Sequence, residues 1–303
     1  MTALDRLATE LVMFGDVRRD EPMSRHTTFG IGGPADVFVI VRDVTGLAGA
    51  AVAARQAGAD VFVLGSGSNI LVADAGIRGV VLDNRARAET ESGETRFRVE
   101  SGTSLAAFAR RMCRRGLDGL AWAVGIPGTF GGAVVYNAGA YGGCLADVLA
   151  RTRLQDASGH DDWVEAKDLS LVYRGSVLTR GKLAGRTVLE CEVVLAPGDP
   201  AEIMNRVAAL DRKRLAAQPR GRNAGSMFKN PPESPAWKLI DAVGLRGARR
   251  GDAAISERHC NFFVNEGAAR AADVSGLVEE AERRVKLQFG IALEREVSFV
   301  GAW

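Results

Sequence analysis

The sequence predicts an α+β protein. Apolar runs of strand length alternate with longer helical patterns, the spacing is uneven, and nothing repeats at a fixed period. Turn residues cluster at Pro197-Gly198-Asp199-Pro200, which marks a boundary near residue 198. A chain of 303 residues allows two or three domains.

The elements follow in order. Met1 to Phe14 reads as a short amphipathic helix carrying Asp5, Arg6 and Glu10, without the unbroken apolar core of a signal peptide. Asp36–Val41 is a strand. Asp43 caps an alanine-rich helix that Gly58 stops. Val61–Leu64 is a strand that runs into Gly65-Ser66-Gly67-Ser68-Asn69. Strands near 79–82 and 97–100 precede a helix over Ser104–Arg115, and the glycine-rich, apolar stretch 121–143 fits neither regular state. Strands are expected near 148–155 and 187–195, and Pro200 opens a helix to about Ala217. After a loop come a helix near 236–243, a strand at 261–264, a helix at 272–289 and a final strand at 293–300. In that strand Glu294, Glu296, Ser298 and Val300 would share one face.

Composition excludes several classes. Lys+Arg minus Asp+Glu is 39 − 37 = +2, so no global field draws nucleic acid or an anionic membrane. Cys113, Cys144, Cys191 and Cys260 lack the spacing of a metal site or a disulfide framework, which suits a reducing cytoplasm. No run reaches the ~18 apolar residues of a membrane span. The clusters Arg212-Lys213-Arg214, Arg220-Gly221-Arg222 and Arg249-Arg250 lack interleaved aromatics, so a phosphate-bearing small molecule fits them better than nucleic acid. Neither a metal site nor a nucleic-acid or membrane partner is expected.

Glycine stands out at 36 residues, well above the roughly 7% of an average chain. The glycines cluster at 30–33, 65–67, 125–143 and 225, where backbone either turns with positive φ or approaches a ligand closely. Residues 65–70 fail the dinucleotide fingerprint, because Ile70 stands where its last glycine belongs. They can still form an anion-binding nest of N–H groups and hydroxyls. Gly125-Ile126-Pro127-Gly128-Thr129-Phe130-Gly131-Gly132-Ala133 and Asn137-Ala138-Gly139 have little side chain to pack. They are too apolar for an exposed linker and suit the lining of a flat ligand.

Gly225-Ser226-Met227-Phe228-Lys229-Asn230-Pro231 sets a hydroxyl, an ammonium and a carboxamide in one loop before a double proline. A surface turn would explain the glycine and prolines. Offering a proton and holding an anion would explain the polar side chains. Tyr173-Arg174-Gly175-Ser176 and Glu296 are unremarkable alone, and His259 is as readily a structural residue as a ligand contact.

Taken together, Gly32-Gly33-Pro34-Ala35 and the segments 64–69, 125–142, 173–176, 225–231 and 293–297 resemble, in that order, the UDP-N-acetylenolpyruvoylglucosamine reductase family from about residue 22 onward. The resemblance implies an FAD-binding fold of the vanillyl-alcohol-oxidase (PCMH) type. Residues 1–78 and 79–198 would form its two subdomains, and 199–303 an α+β substrate-binding domain. FAD would be held non-covalently by Gly65, Ser66, Gly67, Ser68, Asn69 and Ile70, with Gly125, Ile126, Pro127, Gly128, Gly132, Ala133, Asn137, Ala138 and Gly139. Arg174, Ser226 and Glu296 match the catalytic positions. Tyr173, Arg214, Lys229, Asn230 and His259 fall where the nucleotide-sugar substrate is contacted. NADPH would be the co-substrate and the enzyme a cytoplasmic monomer.

By this resemblance hydride reaches the terminal methylene of an enol ether, Arg174 steadies the charge built up beside the carboxylate, and Ser226 returns a proton. Glu296 would polarise the enediolate or orient a proton relay. Only residues 177–186 separate Tyr-Arg-Gly-Ser from the next strand, without tyrosine, as in the family's short form. Two other readings stand beside this one: an FAD-dependent alcohol or sugar oxidase on the same fold, and a nucleotide-sugar-binding protein without catalysis.

Overall fold

The computed structural model describes residues 2–179 and 182–303; within the short 177–186 segment, Arg180 and Gly181 lie outside the described residues. The chain forms two compact units. One comprises residues 1–19, 37–65 and 79–213, the other 20–36, 66–78 and 214–303. The resemblance implies a three-way division along the chain, at 1–78, 79–198 and 199–303, whereas contacts divide it into these two interleaved units.

The first unit holds two sheets and their helices. A four-stranded sheet runs in the order Asp16–Pro22, Pro34–Val41, Ile77–Asn84, Val61–Leu64, with the last two parallel. The helices Ala3–Leu11 and Val44–Gln56 cover it, and Leu11, Val39, Leu47, Ala51, Val80 and Leu82 are wholly buried there. Asp43 caps the second helix as expected, its Oδ1 accepting the Gly46 N–H at 2.7 Å.

The second sheet of this unit is antiparallel in the order Asp161–Glu165, Leu149–Gln155, Thr187–Val194, Arg96–Glu100, Glu89–Glu91. Phe108 of the helix Leu105–Arg114 meets Phe97 and Phe130 edge-on at 5.7 and 5.3 Å. That aromatic row ties the glycine-rich stretch to the sheet. The stretch the sequence left unassigned contains the helix Phe130–Tyr136 and a hairpin, Gly139–Ala140 with Gly143–Cys144. Pro200 does open a helix, Pro200–Ala217, and Asp199 accepts the N–H groups of Ala201 and Glu202 at its start.

The second unit is built on the helix Ala271–Phe289, whose Val274, Val278, Ala281 and Val285 form one buried stripe. It packs on a three-stranded antiparallel sheet, Arg249–Arg250, Ala253–Ile255 and Phe263–Asn265. A parallel pair, Ile70–Val72 with Ser298–Val300, completes the unit.

The differences from the sequence reading have two causes. The strands at 16–22, 70–72, 89–91, 161–165 and 253–255 are short or largely polar, so periodicity does not reveal them. The strand expected at 261–264 lies at Phe263–Asn265. The final strand is Ser298–Val300 only, and Glu296 is outside it. The reason is local: the N–H groups of Glu296 and Val297 both point at the Met227 carbonyl, at 2.8 and 3.4 Å. Two donors on one acceptor break a regular ladder.

No helix among the described residues is long and apolar enough to cross a membrane. Nor do three His, Cys, Asp or Glu residues among them gather as a metal site.

Candidate active site

In the first unit, Arg174 sits in a two-residue hairpin turn. Val172 and Gly175 exchange N–H···O=C bonds at 3.0 and 3.2 Å, and Tyr173 and Arg174 form the tip. Arg174 has φ 54°, a left-handed conformation that costs a residue with a Cβ about 1 kcal/mol. Strain of this kind persists where the surroundings impose it, often at a working residue. The Arg174 guanidinium lies 5.3 Å from the ring centre of Tyr173, which is itself exposed.

The turn is held by the glycine-rich stretch. Asn137, at φ 43°, ends the helix Phe130–Tyr136 in the left-handed region. Its buried amide donates to the Val172 carbonyl at 3.1 Å and accepts the Ala146 N–H at 3.0 Å. The Ser176 hydroxyl donates to the Val135 carbonyl at 2.7 Å. The Asn137 side chain is therefore committed to the fold. Val135 and Asn137 lie in the same stretch as the positions expected to meet a cofactor, so the two motifs read separately from the sequence meet here.

Gly65 belongs with them. A Cβ on Gly65 would lie 2.6 Å from the Thr129 hydroxyl, whereas one on Gly132 would meet nothing nearer than that hydroxyl at 4.0 Å. Bare backbone on one side and open space on the other fit the cradle of a flat ligand. Ile126 packs against the core of this unit, Gly128 has φ 148°, and the Ala138 N–H closes on the Ala133 carbonyl at 2.9 Å. The hairpin at Gly139 turns through Tyr141 and Gly142, both at positive φ, as a tight hairpin of this type requires.

In the second unit the remaining residues hang on a frame of four short segments. The Lys229 N–H bonds the Glu294 carbonyl at 2.8 Å, and the Glu296 N–H bonds the Met227 carbonyl at 2.8 Å. The Asn69 side chain donates to the Glu296 carbonyl at 3.1 Å, and the Ser298 N–H returns to the Asn69 carbonyl at 3.0 Å. On the opposite edge Ser226 pairs with Phe262. Segments 69–72, 294–298, 226–229 and 261–263 are thus registered side by side, bringing Ser226, Glu296 and the 66–70 loop into one frame. Ile70, read as loop, opens a strand in it.

The loop itself is tightly seated. Gly67 has φ 60°, and a Cβ there would lie 2.1 Å from the His26 carbonyl. Thr28 bonds the Gly67 carbonyl through its N–H at 3.0 Å, while its hydroxyl donates to the Asn223 carbonyl at 2.7 Å. Ser66 and Ser68 share a hydroxyl contact at 3.3 Å. Successive small residues in such a loop suit an anion such as a pyrophosphate.

The expected substrate residues differ in character. Lys229 pairs with the exposed Glu294 at 2.6 Å. Asn230 accepts the Ala236 N–H at 3.1 Å, so its amide oxygen starts the helix Ala236–Ala242. Arg214 lies in the last turn of its helix. His259 lies among aromatic rings, 6.0 Å from Trp237 and 4.9 Å from Phe262, and burial lowers its pKa. Its Nδ1 accepts the Asn261 N–H at 3.3 Å, which leaves the neutral ring's proton on Nε2. Asn261, Thr28 and the structural bond of Asn69 escaped the sequence reading. A lone amide beside Phe262-Phe263-Val264 was the available signal for Asn261, since a polar group in an apolar run must find partners.

Comparison with known proteins identifies the family. Residues 35–161 match the family model described as FAD binding domain, and residues 217–300 match UDP-N-acetylenolpyruvoylglucosamine reductase, C-terminal domain. The UDP-N-acetylenolpyruvoylglucosamine reductase of Moorella thermoacetica is 40% identical, over 94% of this chain and 93% of that protein. The Geobacter sulfurreducens protein of that name is 39% identical over 98% and 99%. The crystal structure of the Thermus caldophilus reductase superposes with a TM-score of 0.81 at 36% identity, covering 94% of this chain and 99% of the other. Identity of this extent over nearly the whole length places the chain in the UDP-N-acetylenolpyruvoylglucosamine reductase family.

Proposed function

We propose that the chain reduces the enolpyruvyl group of UDP-N-acetylenolpyruvoylglucosamine to give UDP-N-acetylmuramate, an oxidoreductase step of peptidoglycan synthesis. The observation that carries the reading is the register that sets Glu296 beside Met227 and Asn69 beside Glu296, aligning three family motifs on one backbone frame. FAD, held non-covalently, would supply hydride chemistry here, with NADPH as its reductant.

The chain's own residues do the rest. Hydride addition at the methylene builds negative charge on the carbon next to the carboxylate. Arg174 pairs its guanidinium with that carboxylate, the geometry for which a planar fork of donors is suited. Ser226 gives its hydroxyl proton to the carbanionic carbon, a base strong enough to take it, and Glu296 polarises the enediolate or relays the proton. Gly65 to Ile70 take the cofactor's pyrophosphate. Gly125 to Gly128, Gly132, Ala133 and Asn137 to Gly139 line its rings with backbone. Tyr173, Arg214, Lys229, Asn230 and His259 bind the nucleotide sugar, with Lys229 shared between its anion and Glu294 and His259 donating from Nε2. In functional terms residues 1–78 and 79–198 serve the cofactor and 199–303 the substrate. The enzyme works as a cytoplasmic monomer, without nucleic acid, membrane or metal.

The test is anaerobic and spectroscopic. NADPH should bleach the oxidised flavin band, and added UDP-N-acetylenolpyruvoylglucosamine should restore it at once. Bleaching without restoration would discard this substrate, and a colourless protein would discard the flavoenzyme.

A further inference from the structure

We propose that Asn261 is a positioning residue that sets the Ser226 hydroxyl for proton transfer; the proposal rests on the reading of Ser226 as proton donor. Asn261 lies in the loop between the antiparallel strands Ala253–Ile255 and Phe263–Asn265 and is only 2% exposed. Its Oδ1 accepts the Phe228 N–H at 2.9 Å, and its Nδ2 donates to the Phe228 carbonyl at 2.7 Å. Its own carbonyl accepts the Met227 N–H at 2.7 Å. Three bonds from one residue therefore fix the two residues that follow Ser226.

The chemistry asks for asparagine. Phe228 presents a donor and an acceptor, both buried, and a carboxamide answers both at once. An ionised aspartate would set oxygen against the Phe228 carbonyl oxygen, and leucine would leave both groups unpaired. The arrangement also governs which way Ser226 points. In extended backbone a shift of one residue turns every side chain to the other face, and bonds on both groups of Phe228 block that shift. The far edge is held by backbone bonds to Glu294, Glu296 and Val297 and by the Lys229–Glu294 ion pair. Through its N–H on His259 Nδ1, Asn261 ties a substrate residue to the same clamp.

The decisive variant is Asn261→Asp, compared with wild type in each half-reaction by stopped flow between pH 6 and 8. NADPH should bleach the variant's flavin at the wild-type rate. Reoxidation by substrate should fall about 10²-fold at pH 8, the scale of a 1 Å misplacement. It should recover toward pH 6, where a protonated carboxyl donates to the Phe228 carbonyl as the amide does. The introduced carboxylate would also raise the pKa of the neighbouring His259, so the same comparison is repeated in a His259→Phe background, where the recovery toward pH 6 should persist. A variant unstable at pH 8 is loaded at pH 6 and jumped to pH 8, the single turnover being read within milliseconds. Equal reoxidation at all pH values would overturn the proposal, as would a parallel loss in both half-reactions. A wild type that substrate cannot reoxidise would remove the proton-donor reading itself, and this proposal with it.

Discussion

Arg174 and Ser226 face the same physical demand, a side chain fixed before the reaction begins, and the chain meets it in two ways. Arg174 stands at the exposed tip of a hairpin, at φ 54°, tethered at the turn's base by the Asn137 amide and the Ser176 hydroxyl. Ser226 stands in extended backbone with a neighbour on either side, beside Met227 and Phe228, each 1% exposed. One site is a strained turn tethered at its base, and the other lies in a frame of laterally bonded segments. The difference teaches that the turn can lose its function without losing the fold, while damage to the frame threatens both.

The largest effects come from removing the reacting groups. Ser226→Ala should leave reduction by NADPH intact and slow substrate-dependent reoxidation by 10²–10⁴-fold, the usual worth of a positioned acid. Full-speed reoxidation would remove Ser226 from the proton path. At the turn, Arg174→Gly should cost about 10²–10³-fold in turnover. It also releases the left-handed strain, so stability in urea should hold or rise by up to about 1 kcal/mol. A clear loss of stability would mean that the turn is not the strained, separable element described here.

The glycines give a smaller and sharper contrast. Gly67→Ala drives a Cβ toward the His26 carbonyl at an unfavourable φ, and should cost about 1–3 kcal/mol in stability together with flavin content. Gly132→Ala meets open space inside a helix, so the flavin-free protein should gain up to about 1 kcal/mol. If the flavin lies along that backbone, the same methyl weakens FAD binding. Titration of FAD into both flavin-free proteins decides it, and unchanged affinity in Gly132→Ala would move the cofactor away from the helix.

Legibility in the sequence followed the same divide. Helices with caps and apolar stripes were readable: Asp43 and Pro200 announced theirs, and Ala271–Phe289 carried its own periodicity. The motif segments were readable as a resemblance because glycine, proline and polar residues crowd together in them. What stayed hidden was the frame. Strands as short as Ile70–Val72 and Ala253–Ile255 hold too few residues to show a period of two. A period of two across Leu293–Val300 suggests a long strand carrying Glu296, yet the strand is Ser298–Val300 and the residues before it follow irregular backbone bonded to Met227. Asn137 bonds Val172 and Asn261 bonds Phe228, partners too distant in sequence for one window, and the Asn230 bond to Ala236 depends on a local turn that no periodicity marks.

The smallest predicted effect is on acid stability. Burial lowers the pKa of His259 from its usual value near 6.5, so the unfolded chain takes up that proton first as pH falls. More protons bound in the unfolded state mean that stability drops on going from about pH 6.5 toward the folded pKa, and is fully present above that window. His259→Phe keeps a ring against Trp237 and Phe262 and removes the titration. It also forfeits the 3.3 Å bond from Asn261, so the variant should be slightly less stable than wild type at pH 8. Below pH 6.5 the gap should narrow or reverse, because only the wild type still gains a proton on unfolding. Urea midpoints at pH 8 and pH 5.5 measure both. A gap that does not change with pH would mean that His259 is no more reluctant to protonate folded than unfolded.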